Sequence, residues 1–170
     1  KVSVSNTGKN LLYVRTVRTG TPMPGAESPA NNGLALGVRY QTMGGERLDP
    51  ASIEQGTDFQ AVVTIQHPGI RGQYQELALT QVFPSGWEIR NSRLEGTERA
   101  QANSRYEYQD IRDDRVMTYF DLDARQQATF RVFLNASYTG RFYLPPATCE
   151  AMYDHTVNAR SKGQWVNVVK

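Results

Sequence analysis

The chain has 170 residues, of which 10% are aromatic and 39% hydrophobic, a composition typical of one packed domain rather than a disordered chain. Nineteen lysines and arginines against seventeen aspartates and glutamates leave a formal charge of +2, without a long run of either sign, which argues against nucleic-acid binding. No apolar run reaches the roughly 20 residues that a membrane-spanning helix needs. Because Lys1 opens a polar stretch without the features of a signal peptide, we expect either a processed product or, in preference, a fragment of a longer polypeptide.

Runs of alternating apolar and polar residues recur along the first half of the chain, and each run predicts a β-strand. Residues 11–17 predict the first strand. Residues 21–33 contain three prolines and two glycines and predict a long exposed loop. The next four strands are predicted at 34–43, 59–66, 76–83 and 87–89.

The second half continues the pattern after one stretch of helix-forming residues. Residues 93–105 favour a short surface helix at most, because they lack an apolar stripe and Gly96 interrupts them. Residues 106–111 and 116–122 predict a hairpin, whose second strand turns Met117 and Tyr119 outward. Further strands are predicted at 129–138, 141–144 and 165–169. Residues 1–170 therefore predict one all-β domain, an antiparallel β-sandwich of eight or nine strands.

The segment from Tyr138 to Asp154 holds the single cysteine and a dense group of aromatic residues. Pro145 and Pro146 remove two backbone donors, so the chain from residue 147 is expected to leave the ladder or to run along an edge. This places residues 149–153 at a rim of the sandwich. Met152 and Tyr153 are adjacent, so in a strand they would face opposite sides, and one of them would meet something outside the sheet. Core packing at the rim and contact with a partner both remain open for this pair.

Residues that could carry chemistry all have simpler interpretations. Arginines at 112 and 115 compete for nearby carboxylates, which predicts a solvated turn rather than a calcium site among Asp110, Asp113, Asp114, Asp121 and Asp123. His67 lies in a turn, and His155 is expected to pair with Asp154 at the surface. Cys149 is flanked by a threonine and a glutamate, so we expect a buried, inert thiol that can form no intramolecular disulfide. The sequence thus predicts no catalytic residue, no metal and no cofactor.

Three motifs of this sequence resemble the carboxy-terminal domain of bacterial α2-macroglobulins. The strand containing Arg39 and Tyr40 is followed by Gly44-Gly45, and I-x-Q-G-x-D begins at Ile53. The most specific motif is G-R-F-Y-L-P-P-A-T-C-E-A-M-Y-D, from Gly140 to Asp154. The resemblance extends through the whole chain to W-V-N-V, which begins at Trp165.

The resemblance implies the last macroglobulin-like β-sandwich of a large protease inhibitor, periplasmic and anchored as a lipoprotein in the inner membrane. The implied partners are the thioester domain, the other macroglobulin-like domains of the same polypeptide and, through the full-length protein, target proteases. The family forms its thioester in a C-x-E-Q motif of a separate domain. Here Glu150, Ala151 and Met152 follow Cys149, so this chain cannot form the thioester.

The implied role is non-enzymatic. The terminal domain packs beside the thioester domain and helps to keep water away from the reactive bond. Apolar side chains suit that role, so Met152 and Tyr153 are the first candidates for the contact, followed by Tyr119 and Met117. The receptor-binding lysines of the animal proteins have no counterpart here, since residues 99 and 105 are arginines. Direct membrane insertion by this domain is not expected.

A different class of function is a free-standing adhesion or carbohydrate-binding sandwich. It would use Trp87, Tyr106 and Tyr108 as a platform on which sugar rings stack. That hypothesis requires the three aromatic rings to lie together on an exposed face.

Overall fold

The structure is a computed structural model that describes residues 2–17, 19–90 and 103–170. All of its regular elements are β-strands, and those of the first half are β1 (Ala30–Asn32), β2 (Ala35–Thr42), β3 (Arg47–Leu48), β4 (Ser52–Glu54), β5 (Asp58–Gln66), β6 (Tyr74–Val82) and β7 (Trp87–Arg90). The second half adds β8 (Tyr108–Ile111), β9 (Arg115–Leu122), β10 (Gln127–Ala136), β11 (Gly140–Leu144), β12 (Thr148–Ala151), β13 (Asp154–Arg160) and β14 (Gln164–Val169). No helix in the described ranges is long and apolar enough to cross a membrane.

The strands form three sheets. The six-stranded sheet has the order β1-β13-β12-β6-β9-β8, the five-stranded sheet the order β3-β2-β5-β10-β7, and the three-stranded sheet the order β11-β14-β4. Neighbouring strands are antiparallel except β4 and β14, which are the one parallel pair among the named strands. The predicted antiparallel β-sandwich is therefore confirmed, and the described residues form fourteen strands instead of the predicted eight or nine.

The five-stranded sheet forms one layer, and the other two sheets share the second. Inward-facing residues of β5 contact both sheets of the second layer. Val63 and Ile65 pack with buried residues of β6, β9, β12 and β13 in a first cluster. Phe59 and Ala61 pack with buried residues of β4, β11 and β14 in a second cluster. The core thus extends along β5 and β10. The six-stranded sheet packs on one part of it and the three-stranded sheet on the other.

The predicted strand at 11–17 is absent from the described residues. Leu11 is 80% exposed and Tyr13 88% exposed, and the segment lies alone on the surface. The side chains have strand-forming character, but a strand requires a neighbour that accepts its backbone hydrogen bonds, and this domain supplies none there. The predicted loop at 21–33 also needs correction, because its last residues form β1 against β13.

The predicted surface helix at 93–105 falls mostly outside the described residues, which resume at Asn103. Residues 103–105, the part of this segment that the structure describes, are not helical. Ser104 donates its amide proton to the carbonyl of Thr129 (2.9 Å), and its hydroxyl accepts from the Thr129 amide (2.8 Å). These bonds lie along β10 next to the point where β7 ends, so residues 103–104 extend that edge of the sheet instead of winding into a turn.

We predict that a chain beginning at Thr21 folds with nearly unchanged stability. The removed side chains between 2 and 17 are exposed and belong to neither core cluster, so the free energy of unfolding should change by less than about 1 kcal/mol. Urea denaturation followed by tryptophan fluorescence measures it. Leu79→Ala is the contrasting variant, since Leu79 is fully buried and the substitution should destabilise by about 2 to 5 kcal/mol. A loss of similar size in the truncated chain would contradict the placement of residues 2–17 outside the core.

Candidate functional site

The hairpin turn between β12 and β13 presents two large apolar side chains to solvent. Met152 is 46% exposed and Tyr153 is 84% exposed. They occupy a turn rather than a strand, so the alternation of strand faces does not apply to them, and neither side chain enters the core. Contact between this pair and a partner stays a prediction.

The expected position of residues 149–153 at a rim is wrong for β12. This strand lies in the interior of the six-stranded sheet and pairs with β13 on one side and with β6 on the other. The two prolines do end a ladder, but they carry the chain from the three-stranded sheet into the six-stranded one. In that sheet β12 lies between β6 and β13, and both strands provide backbone hydrogen-bond partners for it. Only the turn that follows β12 lies at the margin.

A bulge in β6 fixes the backbone of the turn. The pairing between β6 and β9 shifts register between Tyr74 and Leu77, and Glu76 within the bulge has a φ of 53°. Its carbonyl accepts the amide proton of Met152 (3.0 Å), and its own amide donates to Oδ1 of Asp121 on β9 (2.9 Å). A left-handed conformation is unfavourable for a residue with a Cβ, so these two bonds hold Glu76 where the turn needs it.

A salt bridge holds the other side of the turn. Nη1 of Arg71 donates to Oδ2 of Asp154 (2.9 Å), and the hydroxyl and the amide of Thr156 donate to Oδ1 (2.6 and 2.9 Å). The Thr156 bonds, with the charge of Arg71 as a smaller cause, lower the pKa of the Asp154 carboxyl. The expected pair of Asp154 with His155 is not formed, because consecutive strand residues point to opposite faces.

His67 anchors the loop that carries Arg71. Its imidazole is fully buried and stacks on Tyr74 at 3.9 Å between ring centroids. Nδ1 accepts the amide proton of Gly69 (2.9 Å), and Nε2 lies 2.8 Å from the carbonyl of Gly72. An amide can only donate and a carbonyl can only accept, so the ring is the neutral tautomer with its proton on Nε2. This histidine is structural.

Tyr119 and Met117 lie on the outer face of the same sheet, half-buried, as the hairpin pattern predicts. The Tyr119 hydroxyl contacts the Met117 sulfur at 3.9 Å, and the Tyr119 ring stacks on Tyr108 at 6.0 Å. The register places Tyr119 opposite Ala78 of β6, while Ala78 faces Glu150 of β12 on its other side. β9, which carries Tyr119 and Met117, therefore belongs to the same sheet as the strands that flank the turn, but β6 lies between β9 and β12.

The aromatic platform required for carbohydrate stacking does not exist. Trp87 is buried and lies edge-on to Phe59 at 4.9 Å. Tyr106 packs against the first core cluster, which leaves only Tyr108 exposed.

The other candidate residues are held in structural roles. Cys149 is fully buried, and burial, with the nearby charge of Glu150 as a lesser cause, raises the pKa of its thiol to about 12. Asp110 and Asp114 form ion pairs with Arg112 and Arg115. Within the described residues, no group of three side chains is placed to bind a metal ion.

Comparisons with known proteins agree with this architecture. Residues 33–155 match the sequence model of the bacterial alpha-2-macroglobulin MG10 domain. The chain belongs to this family. An alpha-2-macroglobulin homolog of Yersinia pestis is 26% identical over 168 residues, covering 86% of this chain and 8% of the relative.

Solved structures of bacterial alpha-2-macroglobulins show the same fold. Native Escherichia coli alpha-2-macroglobulin, spanning domain MG7 to the C-terminus, aligns with a TM-score of 0.75 at 19% identity, covering 86% of this chain and 25% of that one. Salmonella alpha-2-macroglobulin reacted with methylamine aligns with a TM-score of 0.72 at 19% identity, covering 85% of this chain and 10% of that one. The chain therefore spans about a tenth of the full-length relatives that it matches.

We predict that Asp121→Ala loosens the turn. The substitution removes the acceptor of the Glu76 amide, so the bulge and its bond to Met152 should open more often, and hydrogen exchange of the Met152 amide should accelerate about tenfold. NMR exchange measurements check this. Asp123→Ala is the matched control, because Asp123 is exposed and its carboxylate makes no hydrogen bond to the described residues. Equal exchange rates in the two variants would show that Asp121 does not support the turn.

The Asp154 carboxyl should titrate below its ordinary value of 3.8, as measured by carboxyl ¹³C NMR. Its folded-state pKa is lowered, so its contribution to stability is present above the unfolded-state pKa and is lost as the pH falls through the folded-state pKa. Thr156→Val, which removes the strongest contributor, should move the midpoint upward. Arg71→Gln should also raise it, and Lys170→Gln should not. A midpoint at or above 3.8 in the unmodified chain would contradict the hydrogen bonding described for Asp154.

Proposed function

We propose that this chain is the non-catalytic terminal domain of a bacterial alpha-2-macroglobulin protease inhibitor. In this proposal the Met152–Tyr153 turn packs on the thioester domain of the same polypeptide and limits the access of water to the thioester until a protease cleaves the parent protein. Membership of the MG10 family supports the setting. The observation that carries the proposal is a pair of adjacent, exposed apolar side chains on a turn held from both sides.

The rigidity of the turn supports a shielding role. A shield excludes water only if its side chains keep their place, and a turn held by Glu76 and Arg71 meets that condition better than a free loop. Tyr153 also ends in a hydroxyl, which can hydrogen bond at the border of an otherwise apolar contact. Tyr119 and Met117 would widen the contact across the outer face of the six-stranded sheet.

The size of the contact suits a releasable shield. Burying a methionine or tyrosine side chain is worth roughly 1.5 to 3 kcal/mol each, which a rearrangement of the parent protein after cleavage can reverse. The thioester itself must lie in another domain. The only thiol of this chain is buried at Cys149 and lacks the C-x-E-Q spacing.

The remaining elements of the proposal concern the parent protein. We place it in the periplasm, anchored to the inner membrane as a lipoprotein, where it would meet target proteases. This domain would contact those proteases only through the assembled inhibitor. The Salmonella relative that reacts with methylamine supports the use of this amine as a probe of the thioester.

We predict that replacing Met152 and Tyr153 by alanine in the full-length parent accelerates thiol release by methylamine about tenfold. A tenfold faster rate corresponds to a decrease of about 1.4 kcal/mol in the activation free energy of the reaction. This is less than the free energy gained by burying the two side chains. A thiol-reactive chromophore follows the release. Both residues are exposed in the isolated domain, so the variant should fold normally.

Tyr138→Ala is the matched control. Tyr138 is also an exposed tyrosine, but it lies between β10 and β11, away from the turn. Its substitution should leave the rate unchanged. An unchanged rate in the folded Met152/Tyr153 variant would contradict the proposal that the turn contacts the thioester domain.

A further inference from the structure

A groove of about 700 Å³ opens along the edge of the sandwich, where β2 and β3 face the end of β6 and the chain around residue 162. We call it the edge groove. Apolar residues of both layers form its floor, among them Val38, Tyr40, Leu48, Phe83 and Leu144. It lies at β2 and β3, whereas the apolar turn joins β12 to β13, so the two surfaces belong to different elements.

A buried carboxamide in the wall of the edge groove has no partner. Gln81 follows Leu77 and Leu79 on the inward face of β6 and is 2% exposed. Neither its Oε1 nor its Nε2 has a hydrogen-bond partner. A buried amide without partners is unfavourable, and polar groups in protein interiors are nearly always satisfied. In an extended segment the N–H and C=O of one residue point to the same side, so a single residue offers a donor for Oε1 and an acceptor for Nε2.

The edge of β2 beside the groove is free for part of its length. On the side away from β5, the backbone partners found among the described residues are those of Tyr40 and Gln41 in the ladder with β3, and the Thr42 amide, which donates to the Glu46 carbonyl (2.8 Å). The Leu36 amide donates at this edge to the side chain of Asn31 (3.3 Å). Alternate residues of a strand direct their peptide groups to the same side, so those of Val38 point to the edge between these two positions. An open strand edge pairs readily with another extended segment.

The mouth of the groove is cationic. Arg39, Arg47 and Lys162 line it and are exposed, and none of them forms an ion pair in the part of the chain that the structure describes. Asp49 is the one acidic lining residue, and its Oδ1 already accepts the amide proton of Ala51 (3.0 Å). The balance of charge favours a segment that carries an acidic side chain.

We propose that the edge groove binds an extended, acidic peptide segment that adds as a strand beside β2 and is donated by another domain of the same polypeptide. An extended segment supplies main-chain amides for Val38 and Gln81, apolar side chains for the floor and a carboxylate for the mouth. The relatives are about ten times longer than this chain, so such a segment would be covalently linked and present at high effective concentration.

The test is photo-crosslinking in the full-length parent protein, with p-benzoylphenylalanine in place of Gln164, a half-buried residue that lines the groove and takes no part in the proposed recognition. Mass spectrometry of the digested product identifies the attached peptide. The expected result is an intramolecular link to one segment outside residues 1–170 that contains an aspartate or glutamate. A link to another protein, a scatter of many sites or no link would overturn the proposal.

Two variants test the chemistry of recognition. Gln81→Met removes the carboxamide and should lower the equilibrium constant for docking, and with it the crosslink yield, about tenfold. In the 170-residue chain the same variant should unfold at an unchanged or higher temperature, because an apolar group replaces an unpaired amide. Lys162→Glu reverses one charge at an exposed position and should also lower the yield. Lys170→Glu, an exposed charge reversal outside the groove, should not.

An undiminished yield in Gln81→Met or in Lys162→Glu would overturn the recognition argument. Both results are independent of the rate at which methylamine attacks the thioester. Failure of the edge groove proposal is therefore distinguishable from failure of the shielding proposal.

Discussion

The pairing of β6 with β12 on one side and β9 on the other is the constraint on which most of this structure depends. β6 carries the bulge at Glu76 that orients the apolar turn, and the aspartate that holds the bulge comes from β9. Toward its other end the same strand presents an unpaired carboxamide at Gln81 to the edge groove. One strand thus connects two surfaces that lie on different margins of the sandwich.

Both surfaces carry features that an isolated, fully optimised domain would lack. Two large apolar side chains lie exposed in a turn, one non-glycine residue adopts a left-handed conformation, and a glutamine occupies an inward position without a partner. Each feature is unfavourable in the domain alone and becomes understandable if other domains cover it. This agrees with a chain that spans about a tenth of its relatives.

Much of the fold could be predicted from local patterns. The alternation in 116–122 assigned the strand and its buried face correctly, because a half-buried strand leaves a period of two in the sequence. The strand at 59–66 was also predicted, but Gln60 and Val62 on its other face are buried as well. The same reasoning failed at 11–17, where strand-forming residues have no neighbour to pair with. It also missed β12 as an interior strand, because two prolines end one ladder but do not prevent the chain from entering another.

The sequence by itself determined the fold class and the family, since composition, alternation and a specific motif are local properties. That both Met152 and Tyr153 are exposed was decided by the tertiary structure. The tertiary structure alone decided how that turn is held, through Glu76, Asp121 and Arg71, each more than 30 positions away from its partner. It also decided that Gln81 lies buried beside an open groove. Such relations arise when distant strands pair, and the period of a single strand carries no record of which strand will lie next to it.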